Sequence, residues 1–448
     1  MVAAQRGRAA MLYSGKRFPQ NMVLKAPVDA SRGSCSCSES SSREALRGGP
    51  KATGGAGLDT TAKSVGRFEA ENPRKQGRND RFRWQRHAAG LLGGKARVGL
   101  CRWSMVSRAA GVDVVTSSYE GAEGYYAHFE GLQTCGSVWD CPCCSARISN
   151  TRREELNQLL SWARAQGHTV QMITLTARHG RGDELADLLD RMKDAKRRWA
   201  QHRAHKRLKS LIVGSVTATE VTGGGANGWH PHFHMIVVSS APVDLDVLRE
   251  PWLVSLRAAG LDGTGAGWRV QDASQAGRYV AKWGAAEEVA LGARKKGRGG
   301  MTPMQLLAAS CDDADKRAGV LWREYSAAFR GRRQLVWSRG LKALAGVGEV
   351  DDQEAAQDQK QDDQIETGRA NIPHRVWRAE VVVRRDDRRA ELLDRAEEVG
   401  PDQAAAELAA GHVPGELIEE DREQWGPRPG GLAAAALAAI LPPLGHGP

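Results

Sequence analysis

The sequence lacks a long apolar run, since its longest such stretch, residues 432–441, spans only ten residues. A helix needs about 20 apolar residues to cross a bilayer, so we expect no transmembrane span. No apolar segment follows the first basic residues, which argues against a secretory signal peptide. Hydrophobic residues make up 41% of the chain and aromatic residues 6%, so part of the chain is expected to be disordered.

Cysteine is also scarce, with 8 residues in 448, which is too few for a disulfide scaffold. Half of the cysteines fall within ten residues: Cys135, Cys141, Cys143 and Cys144. Such crowding predicts metal binding in a reducing compartment, and the expected location is therefore the cytoplasm.

The net charge of +11 is unevenly distributed. Residues 1–100 carry 19 basic and 7 acidic side chains, whereas residues 351–448 carry 11 basic and 21 acidic side chains. A basic body with an acidic tail favours a polyanionic partner such as nucleic acid. Basicity alone is shared by many other soluble proteins and does not establish that partner.

Composition and periodicity divide the chain into five segments. These are a disordered basic arm (1–80), a cysteine-bearing zinc-knuckle region (81–150), a folded domain with a C-terminal helical extension (151–345), an acidic linker (346–373) and an acidic, partly helical tail (374–448). The third segment has the order β-α-β-β-α, which predicts an α+β sandwich with a mainly antiparallel sheet.

Three histidines, His230, His232 and His234, alternate along the apolar segment 229–238. Alternation at period two places them on one face of a strand. The preceding strand of the predicted hairpin carries Glu220, and a His-His-carboxylate set suits Mg²⁺, Mn²⁺ or a transition metal. The alternative interpretation is three surface histidines on a half-exposed strand.

Residues 277–284 read GRYVAKWG and predict a helix in which Tyr279 and Lys282 share a face. Beside a cation and a divalent metal, Tyr279 could act as a nucleophile while Lys282 orients a phosphate. Taken alone, this short pattern more often indicates a packed tyrosine and an exposed lysine.

Cys135, Cys141 and Cys144 have the spacing C-x5-C-x2-C, with Cys101 as the candidate fourth ligand. Four thiolates in tetrahedral geometry describe a structural zinc site. Cys143 is the alternative to Cys144, and a set of free buried thiols is the alternative to a metal site.

Candidate DNA contacts come from a basic helix, a basic loop and a later arginine run. They are Arg197, Arg198, Lys295, Lys296, Arg332 and Arg333. Each could equally belong to a solvated charged face.

The joint occurrence of HPHFH (230–234) and YVAK (279–282) resembles the HUH endonuclease superfamily. The segments TCGSVWDCPCC (134–144) and MITLTARHG (172–180) are similar to those of rolling-circle plasmid replication initiators of Gram-positive and actinobacterial type. This resemblance covers residues 99–345.

The resemblance implies an RNA-recognition-like α+β sandwich with a central antiparallel sheet. It implies that His232 and His234, with Glu220 or alternatively His230, bind Mg²⁺ or Mn²⁺. It further implies that Tyr279 attacks a phosphodiester at the plasmid's double-strand origin, giving a 5′-phosphotyrosine and a 3′-OH that a host polymerase extends while a host helicase unwinds the DNA.

One position departs from the pattern of these initiators, which place a glutamate four residues before the tyrosine. This sequence has Gln275 there, so the termination step is open, with Asp272, Glu287 or Glu288 as substitutes. A mobilisation relaxase or single-tyrosine transposase is an alternative within the same superfamily. A zinc-dependent DNA-binding regulator without catalysis is an alternative of another class.

Overall fold

The computed structural model describes residues 73–93, 96–119, 124–225, 228–272, 300–357, 364–383 and 388–411. All of them lie within one compact unit, Arg67–Pro448. Across these ranges, no helix combines the length and the apolar character that a bilayer crossing requires.

A five-stranded antiparallel sheet is the centre of the fold, and it confirms the predicted α+β class with antiparallel strands. Its strands are β3 (Thr169–Thr176), β4 (Ile212–Gly225), β5 (Gly228–Ser239), β6 (Trp268–Asp272) and β7 (Leu335–Trp337). Their spatial order is β6-β3-β5-β4-β7, so the β4–β5 hairpin predicted from the sequence occupies the middle.

A second sheet has three antiparallel strands in the order β2-β1-β8. They are β1 (Val112–Tyr119), β2 (Tyr126–Glu130) and β8 (Gln364–Ile372). The sequence predicts a linker over 346–373, whereas β8 pairs with β1 along its whole length. Ala370 and Ile372 are buried in this pairing, and a strand with only two buried apolar side chains gives little periodic signal in the sequence.

Helices surround both sheets. Within the described ranges the α-helices are α1 (Pro73–Leu91), α2 (Pro142–Ala165), α3 (Leu185–Gln201), α4 (Arg203–Leu208), α5 (Arg249–Ala258), α6 (Pro303–Asp312), α7 (Lys316–Phe329), α8 (Leu341–Leu344), α9 (Asp352–Ala355), α10 (His374–Trp377), α11 (Arg388–Val399) and α12 (Pro401–Ala410). The basic helix that the sequence predicts is divided into α3 and α4, because His202 has extended backbone angles and caps α4 through its ring.

The two faces of the five-stranded sheet are covered differently. On one face, Ile173, Leu175 and Phe233 pack with α3 and α5; we call this the helical face. The opposite face, which we call the histidine face, carries His230, His232 and His234. The end of the histidine face away from these histidines is covered by α2. There Leu156 and Leu159 pack with Met172, Ile236 and Val238. The imidazoles therefore lie on the part of the sheet beyond this apolar cluster.

Candidate metal centres

Glu220 and two of the strand histidines meet on the histidine face. The strand register places Glu220 directly opposite His232 and diagonal to His234. Glu220 Oε2 lies 3.2 Å from His232 Nε2 and 3.5 Å from His234 Nε2. One ligand atom from each side chain lies within 4.8 Å of the others. The three side chains can therefore hold a single metal ion.

The other ring nitrogen of each histidine has its own partner. His234 Nδ1 lies 3.1 Å from Thr174 Oγ1, and His232 Nδ1 lies 3.3 Å from the backbone carbonyl oxygen of His230. A carbonyl oxygen only accepts hydrogen bonds, so His232 donates from Nδ1, and its Nε2 faces Glu220. A metal that replaced the Nε2 proton would find there the lone pair it needs. Such partners orient the imidazoles of metal-binding histidines.

The surroundings of Glu220 favour its charged form. Burial acts to raise the pKa of Glu220, but hydrogen bonds and positive charge from His232 and His234 outweigh burial and hold this pKa well below its ordinary value. Glu220 is therefore ionised at neutral pH, as a carboxylate ligand must be. Its side chain is 35% exposed, so solvent and a substrate can reach the cluster.

His230 is held by a different partner. Its Nδ1 lies 2.6 Å from Nε2 of His179, in the loop that follows β3. Burial, and then the nearby His232 and His179, lower the pKa of His230 to about 4, so the ring is neutral. The structure thus groups Glu220, and not His230, with the other two strand histidines.

Four cysteines form a second group, and all four side chains are buried free thiols. They are Cys101, Cys135, Cys141 and Cys144. The Sγ of Cys144 lies 3.5 Å from that of Cys101 and 3.7 Å from that of Cys135. Sulfur atoms bound to one zinc ion at about 2.3 Å in tetrahedral geometry are about 3.8 Å apart. The cysteine group therefore fits a tetrahedral zinc site.

The beginning of α2 decides which of the two adjacent cysteines joins the group. Cys141 is the N-cap, and its Sγ accepts a hydrogen bond from the backbone N–H of Cys144 at 3.5 Å, with Pro142 in the first helical position. Cys143 points elsewhere, with its Sγ 3.8 Å from the backbone carbonyl oxygen of Arg81. Cys144, and not Cys143, therefore belongs to the group of four cysteines, which agrees with its x2 spacing from Cys141.

The predicted DNA-contact residues are dispersed. Arg197 and Arg198 are exposed on α3, over the helical face, and both pair with Asp194. Arg332 pairs with Asp190, and Arg333 is exposed. The contact of these side chains with DNA stays a prediction.

Tyr279, Lys282, Lys295 and Lys296 lie outside the described residues, so their roles also stay predictions. The described residues on either side of this segment both belong to the sheet. Asp272, at the end of β6, pairs with Gln171 of β3, and Met301 forms a two-way backbone bridge with Gly223 of β4. Among the described residues, Asp272 and Met301 thus both contact the sheet that carries the Glu220 cluster.

The sequence interpretation missed two residues of the site, Thr174 and His179. Both belong to the stretch MITLTARHG (172–180), which in the sequence supported only the resemblance to rolling-circle initiators. Thr174 is two residues from the buried Met172 along β3, so the two side chains point to the same face of the sheet. This alternation could have placed Thr174 on the histidine face. His179 follows the strand in a loop, where periodicity gives no signal.

Comparison with known proteins gives a consistent result. Residues 128–241, which include β3, β4 and β5, match the family described as Replication protein. A Streptomyces lividans protein named Protein rep is 30% identical over 295 residues, which cover 48% of this chain and 64% of that protein. A Streptomyces cyanogenus protein named Neomycin resistance protein is 36% identical over 135 residues, which cover 24% of this chain and 31% of that protein.

The chain thus spans less than two thirds of the length of either relative. No solved structure matches it. The two relatives and the family match confirm the resemblance to plasmid replication initiators of the Rep type.

Proposed function

We propose that this chain initiates rolling-circle replication of a plasmid by nicking its double-strand origin. The observation that carries the proposal is the convergence of Glu220, His232 and His234 within the segment that matches the replication-protein family. An HUH nicking domain is built around such a cluster, and the resemblance to that superfamily implies Mg²⁺ or Mn²⁺ as the ion. Two imidazoles beside one carboxylate also suit a transition metal.

Glu220, His232 and His234 would hold the divalent ion, which when bound polarises a scissile phosphate and offsets its developing charge. Thr174 and the His230 carbonyl keep the two imidazoles turned so that Nε2 of each faces Glu220. The protein thus supplies a pre-oriented ligand set, which a strand geometry maintains better than a loop would.

Tyr279 is the proposed nucleophile. Its phenol oxygen attacks the scissile phosphorus, the bond from phosphorus to the 3′-oxygen breaks, and the phenol proton is lost as the 3′-oxygen gains one. The products are a 5′-phosphotyrosine and a free 3′-OH for a host polymerase, with a host helicase separating the strands. Lys282 would orient the phosphate.

The cysteine group would hold a structural Zn²⁺ and fix the region before the nicking domain. A relaxase or a single-tyrosine transposase would use the same cluster on a different DNA. A non-catalytic zinc-dependent regulator would need only the cysteine group, so catalysis separates this alternative from the proposal.

The direct test uses the purified full-length chain, Mg²⁺ or Mn²⁺, and a supercoiled plasmid that carries the origin adjacent to the gene. We expect a nicked circle with protein covalently attached to its 5′ end, detected by a gel shift that survives denaturant. Binding without any nicking would overturn the nicking proposal and favour the regulator. Nicking of a transfer origin, but not of the replication origin, would favour a relaxase. Nicking of a transposon end alone would favour a single-tyrosine transposase.

The His232→Ala/His234→Ala protein is expected to nick at least about 100-fold more slowly, because the metal that stabilises the transition state loses two ligands. His168→Ala is the matched control, since His168 directly precedes the opposite end of β3. Equal nicking by the double variant and the control would show that the cluster does not serve the reaction.

Thr174→Val is expected to weaken Mn²⁺ binding about 10-fold to 100-fold, because His234 loses the partner that orients its ring. Electron paramagnetic resonance of free Mn²⁺ during titration measures this affinity without reference to activity. Thr176→Val is the control, because the Thr176 hydroxyl bonds the Gly267 carbonyl and neither histidine. An unchanged Mn²⁺ affinity in Thr174→Val would remove Thr174 from the site.

A further inference from the structure

Glu220 has a histidine on each of its two diagonals across the β4–β5 hairpin. The strand register sets Glu220 opposite His232, with His234 on one diagonal and His230 on the other. Diagonal neighbours in an antiparallel pair are within reach of long side chains. The register alone therefore allows either histidine to share a metal ion with Glu220 and His232, yet the cluster contains His234 and not His230.

These two histidines have different partners on the side of β5 that faces β3. Thr174 of β3 lies opposite His234, and its Oγ1 is 3.1 Å from His234 Nδ1. β3 ends before it reaches the position opposite His230. The loop that follows β3 instead brings His179 to this place, with its Nε2 2.6 Å from His230 Nδ1. His179 thus holds the one strand histidine that the cluster leaves out.

The loop around His179 is fixed by contacts that do not involve its ring. On one side, the backbone N–H of Arg178 donates to the carbonyl oxygen of Asp262 at 2.8 Å. On the other side, a Cβ at Gly228 would lie only 2.8 Å from the carbonyl oxygen of Gly180, so the loop packs directly against the first residue of β5. The backbone therefore presents the His179 imidazole to His230 from a fixed position.

His230 is close enough to reach the metal ion if its ring is released. Its ring centroid lies 5.4 Å from that of His232, and the corresponding distance between His232 and His234, which share the cluster, is 4.8 Å. A change of side-chain rotamer would turn the His230 ring toward Glu220. The hydrogen bond to His179 opposes this change.

The number of imidazoles in a site affects which metal ion it prefers. Imidazole nitrogen suits Ni²⁺, Cu²⁺ and Zn²⁺, whereas carboxylate, carbonyl and water oxygens suit Mg²⁺ and Mn²⁺. A third imidazole would therefore raise the affinity for Ni²⁺ more than the affinity for Mn²⁺. It would also fill a coordination position that a phosphate oxygen needs.

We propose that His179 is a positioning residue that keeps His230 away from the metal ion and so sets the relative affinity of the Glu220 cluster for Mn²⁺ and Ni²⁺. With His230 held back, the ion has two imidazoles and one carboxylate, and a position stays open for the scissile phosphate. This inference rests on the proposed function, because the ion concerned is the one proposed to bind Glu220.

The first experiment measures how readily Ni²⁺ displaces bound Mn²⁺ from the full-length chain in the absence of DNA. One equivalent of Zn²⁺ is added beforehand to fill the cysteine group, and electron paramagnetic resonance reports the free Mn²⁺. The His179→Ala protein is expected to release Mn²⁺ at about one tenth of the Ni²⁺ concentration that the unaltered protein requires, because the released His230 favours Ni²⁺. Unchanged competition, or an equal loss of affinity for both ions, would overturn the inference.

Two further variants separate the ring of His230 from the loop that carries His179. The His179→Ala/His230→Ala protein is expected to behave like the unaltered protein, because no third imidazole is present. His179→Gln is the conservative variant, and it should also keep the original competition, since its amide can still bond the His230 ring. If the double variant releases Mn²⁺ as easily as His179→Ala, the effect does not pass through His230 and the inference is wrong.

The second experiment counts the imidazole nitrogens on bound Mn²⁺ by electron spin echo envelope modulation. On the unaltered protein it depends on the folding of no variant, and two coordinated imidazoles are expected there. The His179→Ala protein should show three. Three imidazoles in the unaltered protein would mean that His230 already binds the ion, which would overturn the inference.

Metal binding and nicking are measured separately, so the two proposals can fail separately. The expected metal competition in a protein that does not nick would overturn the proposed function alone. A nicking protein whose metal competition does not change in His179→Ala would overturn this inference alone. An unaltered protein that binds no Mn²⁺ would contradict both.

Discussion

The Tyr279→Phe protein is expected to bind origin DNA normally and to form no covalent adduct, a loss of at least about 1,000-fold in nicking. Only the phenol oxygen is removed, and this oxygen is the atom that would bond to phosphorus. Denaturing gels of the protein with labelled origin DNA measure the adduct, and a native gel shift measures binding. An adduct that persists in Tyr279→Phe would assign the nucleophile to another residue.

The other tyrosines of the described chain supply the controls. Tyr119 and Tyr126 belong to the three-stranded sheet, and Tyr125 directly precedes β2 with its side chain exposed. Tyr325 packs against Trp139 and Phe329, and burial raises its pKa well above the ordinary value, which disfavours a phenolate. Tyr125→Phe should therefore nick at the rate of the unaltered protein, since Tyr125 is exposed beside the three-stranded sheet and not in the sheet that carries Glu220.

The Cys141→Ser protein is expected to lose zinc and to unfold cooperatively at a much lower temperature. Structural zinc contributes about 10–16 kcal/mol in zinc-finger peptides, which is comparable to the entire stability of a domain, about 5–15 kcal/mol. Cys141 is fully buried, and it also caps α2, so its loss affects both the metal and the helix. Elemental analysis gives the zinc content, and a thermal melt gives the midpoint.

Cys143→Ser is the matched control for this experiment, because Cys143 is adjacent to the group but its sulfur contacts the Arg81 carbonyl. We expect it to retain one zinc per chain and a melting temperature close to that of the unaltered protein. The buried core around the cysteines also includes Trp84 of α1, Trp322 of α7 and Leu393 of α11. Loss of zinc should consequently melt the C-terminal helices along with the cysteine region, and a zinc-bound Cys141→Ser protein would contradict the assignment.

Local patterns in the sequence predicted much of the central sheet. The β-α-β-β-α order and the β4–β5 hairpin follow from apolar periodicity, which depends only on neighbouring residues. The pairing of β8 with β1 was not predictable in this way. It joins residues about 250 positions apart, such as Val112 and Ile372, and no local signal specifies such a partner.

The candidate site also has one part that the sequence predicts and one part that depends on tertiary structure. Alternation along one strand determined that His230, His232 and His234 share a face, because successive side chains of a strand point to opposite sides. Which two of them meet the carboxylate was decided only by tertiary structure. The β4–β5 register sets Glu220 opposite His232 and beside His234, and the loop after β3 brings His179 against His230. The first contact depends on the register of the hairpin, and the second depends on a loop from another part of the chain. Neither contact follows from alternation along a single strand.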